Sequence, residues 1–255
     1  MTDIQKASIW KRASAGLFDL IITISIAVGF FYILSMIFKY DNIRDEVNQV
    51  YIQYEEKYGF NFLEVSEEMY NNYTEEQKAN YDAALEELYK DTEYLRKYNL
   101  VINLALLMTT GGILLGLLLV ELVVPLIFKN GQTLGKKVFS IGLIRADGIR
   151  IKPINLFART VLGKFTIEIM IPVYIVIMFV FQSINLFFIF ILVGLALIQI
   201  VVFVANSRRP LIHDLIAYTV VIDMNSQMIF DTEEQKADYI ANQERVRIER
   251  QSKIY

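Results

Sequence analysis

Between Ala13 and Phe38 the chain carries a single charge, Asp19, and this run decides what the rest can become. It exceeds the roughly 20 apolar residues that a bilayer-crossing helix needs. It is too long for the apolar core of a cleavable signal, contains an acid, and shows no small-residue cleavage pattern before Lys39. It therefore reads as a retained membrane segment. Arg12, Ala15, Gly16 and Asp19 recur at i, i+3, i+4 and i+7, which puts both charges on one helical face. The two small residues between them admit a close neighbouring helix. A carboxylate at that depth is costly and needs a partner in protein or water. Two roles fit Asp19: a structural ion pair with Arg12 or Arg159 that fixes helix docking, or an ion- or proton-handling group.

The 255 residues are 55 % hydrophobic yet 21 % charged, so apolar and charged residues must be segregated along the chain. Four apolar segments result, at 13–38, 100–128, 155–181 and 184–205, the last two separated only by a tight re-entry at Gln182, Ser183 and Asn185. The expected fold class is an all-α polytopic membrane protein with four transmembrane helices, an extracellular helical hairpin and a small cytoplasmic β-element. Basic residues fix its orientation. Lys6, Lys11 and Arg12 lie in 1–12, six Lys/Arg against Asp147 alone lie in 129–152, and Arg208 and Arg209 follow the fourth segment. Segment 39–99 is acidic instead. The positive-inside rule then puts both termini and the 129–154 loop in the cytoplasm and 39–99 outside. Without cysteine, disulfides, thiolate metal sites and thiol nucleophiles are excluded.

Along 39–99, Asp41 is expected to cap a helix whose apolar stripe runs from Ile43 to Tyr58 and stops at Gly59. Thr74 with Gln77 forms a capping-box pattern opening a second helix. No breaker separates that helix from the second apolar segment, which predicts one helix from about 75 to 128. Ten of the fifteen tyrosines fall between Tyr40 and Tyr98, as suits helices packing on one another with their hydroxyls in water. Gly112-x-x-x-Gly116 is a close-packing pattern. Pro125 frees a backbone carbonyl near Glu121, to kink the helix or to ligate a cation. Gly131-Gln132-Thr133-Leu134-Gly135-Lys136-Lys137 lacks P-loop spacing, so its lysines are assigned to anionic headgroups with Arg208 and Arg209. Residues 138–151 read as a β-hairpin about Asp147-Gly148, and 206–230 as a His213-Asp214 segment followed by a strand pair, 218–223 with 228–230. Residues 231–255 form a charged, helical tail.

In this order, Trp10-Lys11-Arg12 with Asp19, Gly131-Gln132-Thr133-Leu134-Gly135-Lys136, Arg159, and His213-Asp214-Leu215-Ile216-Ala217-Tyr218 resemble the RDD family of prokaryotic membrane proteins. That family is named for an arginine and an aspartate in its first segment and an aspartate after its last. The resemblance covers roughly 10–40 and 100–223, leaving the acidic hairpin and the tail outside it. It implies a bacterial plasma-membrane protein. Because some members are described as sodium(lithium, potassium)/proton antiporters, it also implies cation–proton exchange as one expectation.

Asp19, Glu121, Glu168 and Asp214, with Arg12 and Arg159, converge on the inner leaflet under this topology. If carboxylates outnumber cations there, one has a raised pKa and can exchange a proton for Na⁺, Li⁺ or K⁺. If cations match them, the layer is a clamp, and the protein is a non-transporting scaffold, sensor or lipid-binding accessory subunit. A homo-oligomer would supply a pathway that four segments lack. No cofactor or nucleic-acid motif is present, and His213-Asp214 has no accompanying nucleophile or metal set, so no enzyme is expected.

Overall fold

The computed structural model describes residues 4–62, 64–180, 186–206 and 210–252. The re-entry at Gln182, Ser183 and Asn185, together with Arg208 and Arg209, falls outside them. In chain order the helices are α1 (Ile9–Phe38), α2 (Tyr40–Tyr58), α3 (Glu67–Asn71), α4 (Glu75–Lys90), α5 (Thr92–Leu117), α6 (Val124–Phe128), α7 (Leu134–Val138), α8 (Pro153–Phe157), α9 (Met170–Val180), α10 (Leu186–Ala205), α11 (Ile212–Ile216) and α12 (Glu233–Ser252). Strands β1 (Ile141–Arg145) and β2 (Thr219–Asp223) complete the set. Two stretches, Leu118–Val123 and Ala158–Ile169, are π-helical.

Among the described residues two helices are long and apolar enough to cross a membrane, Ile9–Phe38 and the continuous Thr92–Phe128, while Ile189–Ala205 is a shorter apolar helix. On α1, Leu17, Ile21, Ile24, Val28 and Met36 are all exposed. A row of large apolar side chains left uncovered along a helix is the surface a bilayer solvates. Its opposite face behaves as the spacing predicts, since Ala15, Asp19 and Thr23 are buried.

The chain divides into two compact units, Met1–Ala27 with Ile113–Tyr255, and Val28–Gly112. In the second, Val47, Leu88 and Tyr94 form the core, ringed by Val50, Tyr51, Tyr54 and Leu95. The Tyr51 and Tyr94 hydroxyls share a 2.6 Å hydrogen bond across an edge-to-face ring pair. The Thr74–Gln77 capping box is present. Two expectations need correction. The helix over 40–58 is preceded by Lys39 in a left-handed conformation, with Asp41 inside its first turn rather than capping it. The single helix over 75–128 breaks at Asp91, whose carboxylate accepts from the Glu93 and Tyr94 amides and so begins a new helix. An N-cap acid can interrupt a helix without glycine or proline.

In the first unit β1 and β2 pair antiparallel, Ile141 opposite Asp223 and Arg145 opposite Thr219. Both strands are buried on both faces over their first four residues. Lys6 bridges to Ile222 on one side, and Ile144 to Arg150 on the other. The first expected hairpin is present but short: the Asp147-Gly148 turn is closed by the Arg145 amide on the Ile149 carbonyl and the Ile144–Arg150 bridge, while Val138 belongs to α7. The second is replaced, since Phe230 pairs in parallel with Ile149 instead of with β2. β1 has two edges, one taken by the local Ile144–Arg150 bridge and the other by the distant β2, so its main pairing is non-local.

Candidate functional site

Four buried or half-buried carboxylates gather in the first unit, each held differently. Asp19, only 3 % exposed, projects from α1 toward the start of α7. Its carboxylate accepts from the Thr133 hydroxyl and, at 2.8 Å, from the Gly135 amide. Thr133 is also the N-cap of α7, its oxygen accepting from the Lys136 amide. A Cβ at Gly135 would collide with the Ala15 carbonyl oxygen and lie 2.9 Å from the Asp19 carboxylate. Glycine is required there because the backbone itself approaches the acid. The motif thus supplies donors to Asp19. Arg12 does not pair with Asp19, and among the described residues neither does any other arginine or lysine. The expected Arg12–Asp19 and Arg159–Asp19 ion pairs are absent because both arginines are engaged elsewhere.

Glu121 lies in the first π-helical stretch and is 4 % exposed. The Lys136 and Lys164 ammonium groups both donate to it, Lys136 at 3.0 Å. Pro125 has no N–H to offer the Glu121 carbonyl, and the Thr160 hydroxyl donates to that oxygen at 3.1 Å instead. The freed carbonyl is satisfied by protein. Lys136 is consequently buried within the protein rather than placed among headgroups, and burial pulls its ammonium down to about 8 against the opposing pull of Glu121. Lys137 remains exposed, its ammonium 4.1 Å from the Phe128 ring centre.

Arg159, 3 % exposed, donates through Nη1 to Asp214 and, at 3.0 Å, to the Thr219 hydroxyl, and through Nη2 to His213 Nε2 at 2.8 Å. Arg12 donates to the other Asp214 oxygen at 3.3 Å, and the Leu211 amide donates to it as an N-cap bond. Burial alone would raise the Asp214 carboxyl, but the Arg159 guanidinium holds it well below the usual range. Because an arginine can only donate, His213 Nε2 must accept, and Nδ1–H donates to Glu168 at 2.7 and 2.8 Å. Burial, reinforced by Arg159, pushes the imidazole down to about 4, so His213 is neutral near pH 7.

The second π-helical stretch makes this arrangement possible. An α-helix advances about 100° per residue, which would put Glu168 roughly opposite Arg159. Closing i→i+5, the wider turn brings 159, 164 and 168 round to one side. A Cβ at Gly163 would lie 2.5 Å from that of His213, so α11 docks directly on the helix there. The periodicity of an ordinary helix conceals these neighbours. Lys164, His213, Thr133, Thr160 and Thr219 are the participants that sequence reading did not assign. The unique histidine and the threonine in the Gly131–Lys137 motif were the available signals.

Among the described residues Arg12 and Arg159 pair with Asp214, and Lys136 and Lys164 with Glu121, so the network sets four fixed cations against four carboxylates while Asp19 and Glu168 are held by neutral donors. Neither a curated protein nor a solved structure matches the chain. The sequence profile of the RDD family matches residues 6–218. That match opens just before Arg12 and closes just beyond Asp214, taking in every charged residue of the network, and the chain belongs to the RDD family.

Proposed function

We propose that this membrane protein is a non-transporting scaffold or accessory subunit whose charge network clamps its helices to the small β-element. The equality of cations and carboxylates supports this reading above all. Every buried acid already accepts from protein donors, so none waits for a metal cation, and breaking one partner of such a pair is costly. In this reading the chain crosses a bacterial plasma membrane four times with both termini cytoplasmic, the acidic 39–99 segment lies outside, and the protein is no enzyme. Self-association and contact with anionic lipid through Lys137 are further parts of it. The test is proteoliposomes loaded with a pH dye and pulsed with Na⁺, Li⁺ or K⁺. No cation-driven proton movement is expected from well-folded protein.

One observation favours cation–proton exchange as the second reading. Asp19 alone among the four acids has a hydroxyl and an amide for partners instead of a charged or imidazole group. A carboxylate so held accepts a proton without leaving a cation unpaired. Cation-driven proton flux that disappears in Asp19→Asn would replace the scaffold reading with this one.

A further inference from the structure

A cavity of about 90 Å³ lies inside the charge network. Arg12, Lys136, Arg159 and Lys164 contribute to its wall, with Asp19 and Glu121 as the carboxylates. It is several times larger than the minimum space that one water requires. Its wall is unbalanced in hydrogen-bonding terms. Both Asp19 oxygens and both Glu121 oxygens already accept from Thr133, Gly135, Lys136 and Lys164. Each ammonium has three N–H groups and uses one on Glu121, leaving others to be satisfied. The guanidinium Nε of Arg159, in a side chain 3 % exposed, has no acceptor at all. A buried donor without an acceptor carries the full cost of its lost hydration.

We propose that this cavity is a binding site for a small monovalent anion of the chloride class. Water both donates and accepts, so it would have to place its own two hydrogens on carboxylate oxygens that each already accept one bond. A halide only accepts, and a sphere takes donors from any direction. The two wall carboxylates repel a multiply charged oxyanion more strongly than a single charge, which sets the class. Asp214 behind the wall balances Arg12 and Arg159, so the attraction comes from the N–H groups that remain directed at the cavity and not from a surplus of charge. The site is independent of whether the protein moves cations, because it uses donors left over after the acids are satisfied.

The experiment uses the full chain in detergent. Thermal unfolding is followed while chloride, then bromide, replaces gluconate at constant ionic strength. A ligand that binds the folded state raises the midpoint with saturation, here by about 3 °C. Lys164→Gln, which removes a wall cation on a partly exposed side chain, is expected to abolish that rise. Anomalous scattering from bromide-soaked crystals is expected to place a peak between Arg159 and Lys164, which decides the matter even if the variant does not fold. A midpoint indifferent to halide, a rise that survives in folded Lys164→Gln, or a cavity holding water alone would overturn the proposal.

Discussion

Gly135 and Thr160 are small residues whose importance comes from what they touch. At Gly135 an added methyl meets the Ala15 carbonyl and the Asp19 carboxylate, neither of which can move without displacing α1. Gly135→Ala is expected to lower stability by about 1–3 kcal/mol, read as a drop in the unfolding midpoint in detergent. Thr160→Val keeps shape but strands the Glu121 carbonyl that Pro125 freed, at a cost of about 1–3 kcal/mol. A Thr160→Ser variant restores the hydroxyl and should recover most of that loss. The arginine assignments separate by double-mutant cycle. Arg12→Ala and Asp214→Asn should couple by about 1 kcal/mol or more, while Arg12→Ala and Asp19→Asn should add. Coupling of Arg12 to Asp19 instead would contradict the geometry.

At the scale of elements, the docking of α11 on the second π-helical stretch ties stability to pH through His213. The imidazole titrates at about 4 in the folded protein and near 6.5 when unfolded. As pH falls the unfolded chain takes up the proton first. Stability that is fully present above about 6.5 therefore declines down to about 4, by up to roughly 3 kcal/mol. Asp214, held low by Arg159, adds a further loss in stronger acid. Unfolding midpoints across pH 8 to 4 should show the decline in the native chain and a flatter profile in His213→Gln. How far these elements were legible differs from case to case. The buried face of α1 follows from Arg12, Ala15 and Asp19 because an α-helix obeys its 3.6-residue period. Glu168 follows from its depth in the third segment, but its approach to His213 and the part played by Lys164 do not, since a π-helix carries no distinctive residue pattern and alters which positions are neighbours. Pairing of β1 with β2 was hidden for another reason. Strand propensity marks Ile141–Arg145 and Thr219–Asp223 equally well, but the choice of partner is tertiary.

For the whole molecule, composition alone identifies a membrane protein, since charge and apolar residues separate so cleanly along the chain. The balance of charge was not legible in the same way. Counting Arg12 and Arg159 against three intramembrane acids suggests a surplus of carboxylates, and the sequence cannot reveal that Lys136 turns inward from its loop. Lys136→Met is accordingly expected to destabilise the folded protein by several kcal/mol, as removal of one partner of a buried pair does, while Lys137→Met changes stability by less than about 0.5 kcal/mol. Comparing the two midpoints checks which lysine belongs to the network.

Arg12 and its acceptor Asp214 are separated by 202 positions, and Asp19 waits for a hydroxyl 114 positions downstream. At about 5–20 residues per second, a ribosome completes the first of those gaps in roughly 10–40 s. Asp19 lacks its Thr133 and Gly135 donors for a little over half of that interval, and Arg12 lacks Asp214 until its end. During biosynthesis the first helix is therefore an incomplete intermediate, and α11 with Asp214, near the end of the match, is the closing piece. Chains terminated before Pro210 would lack Asp214 permanently, and with it the acceptor that Arg12 and Arg159 share.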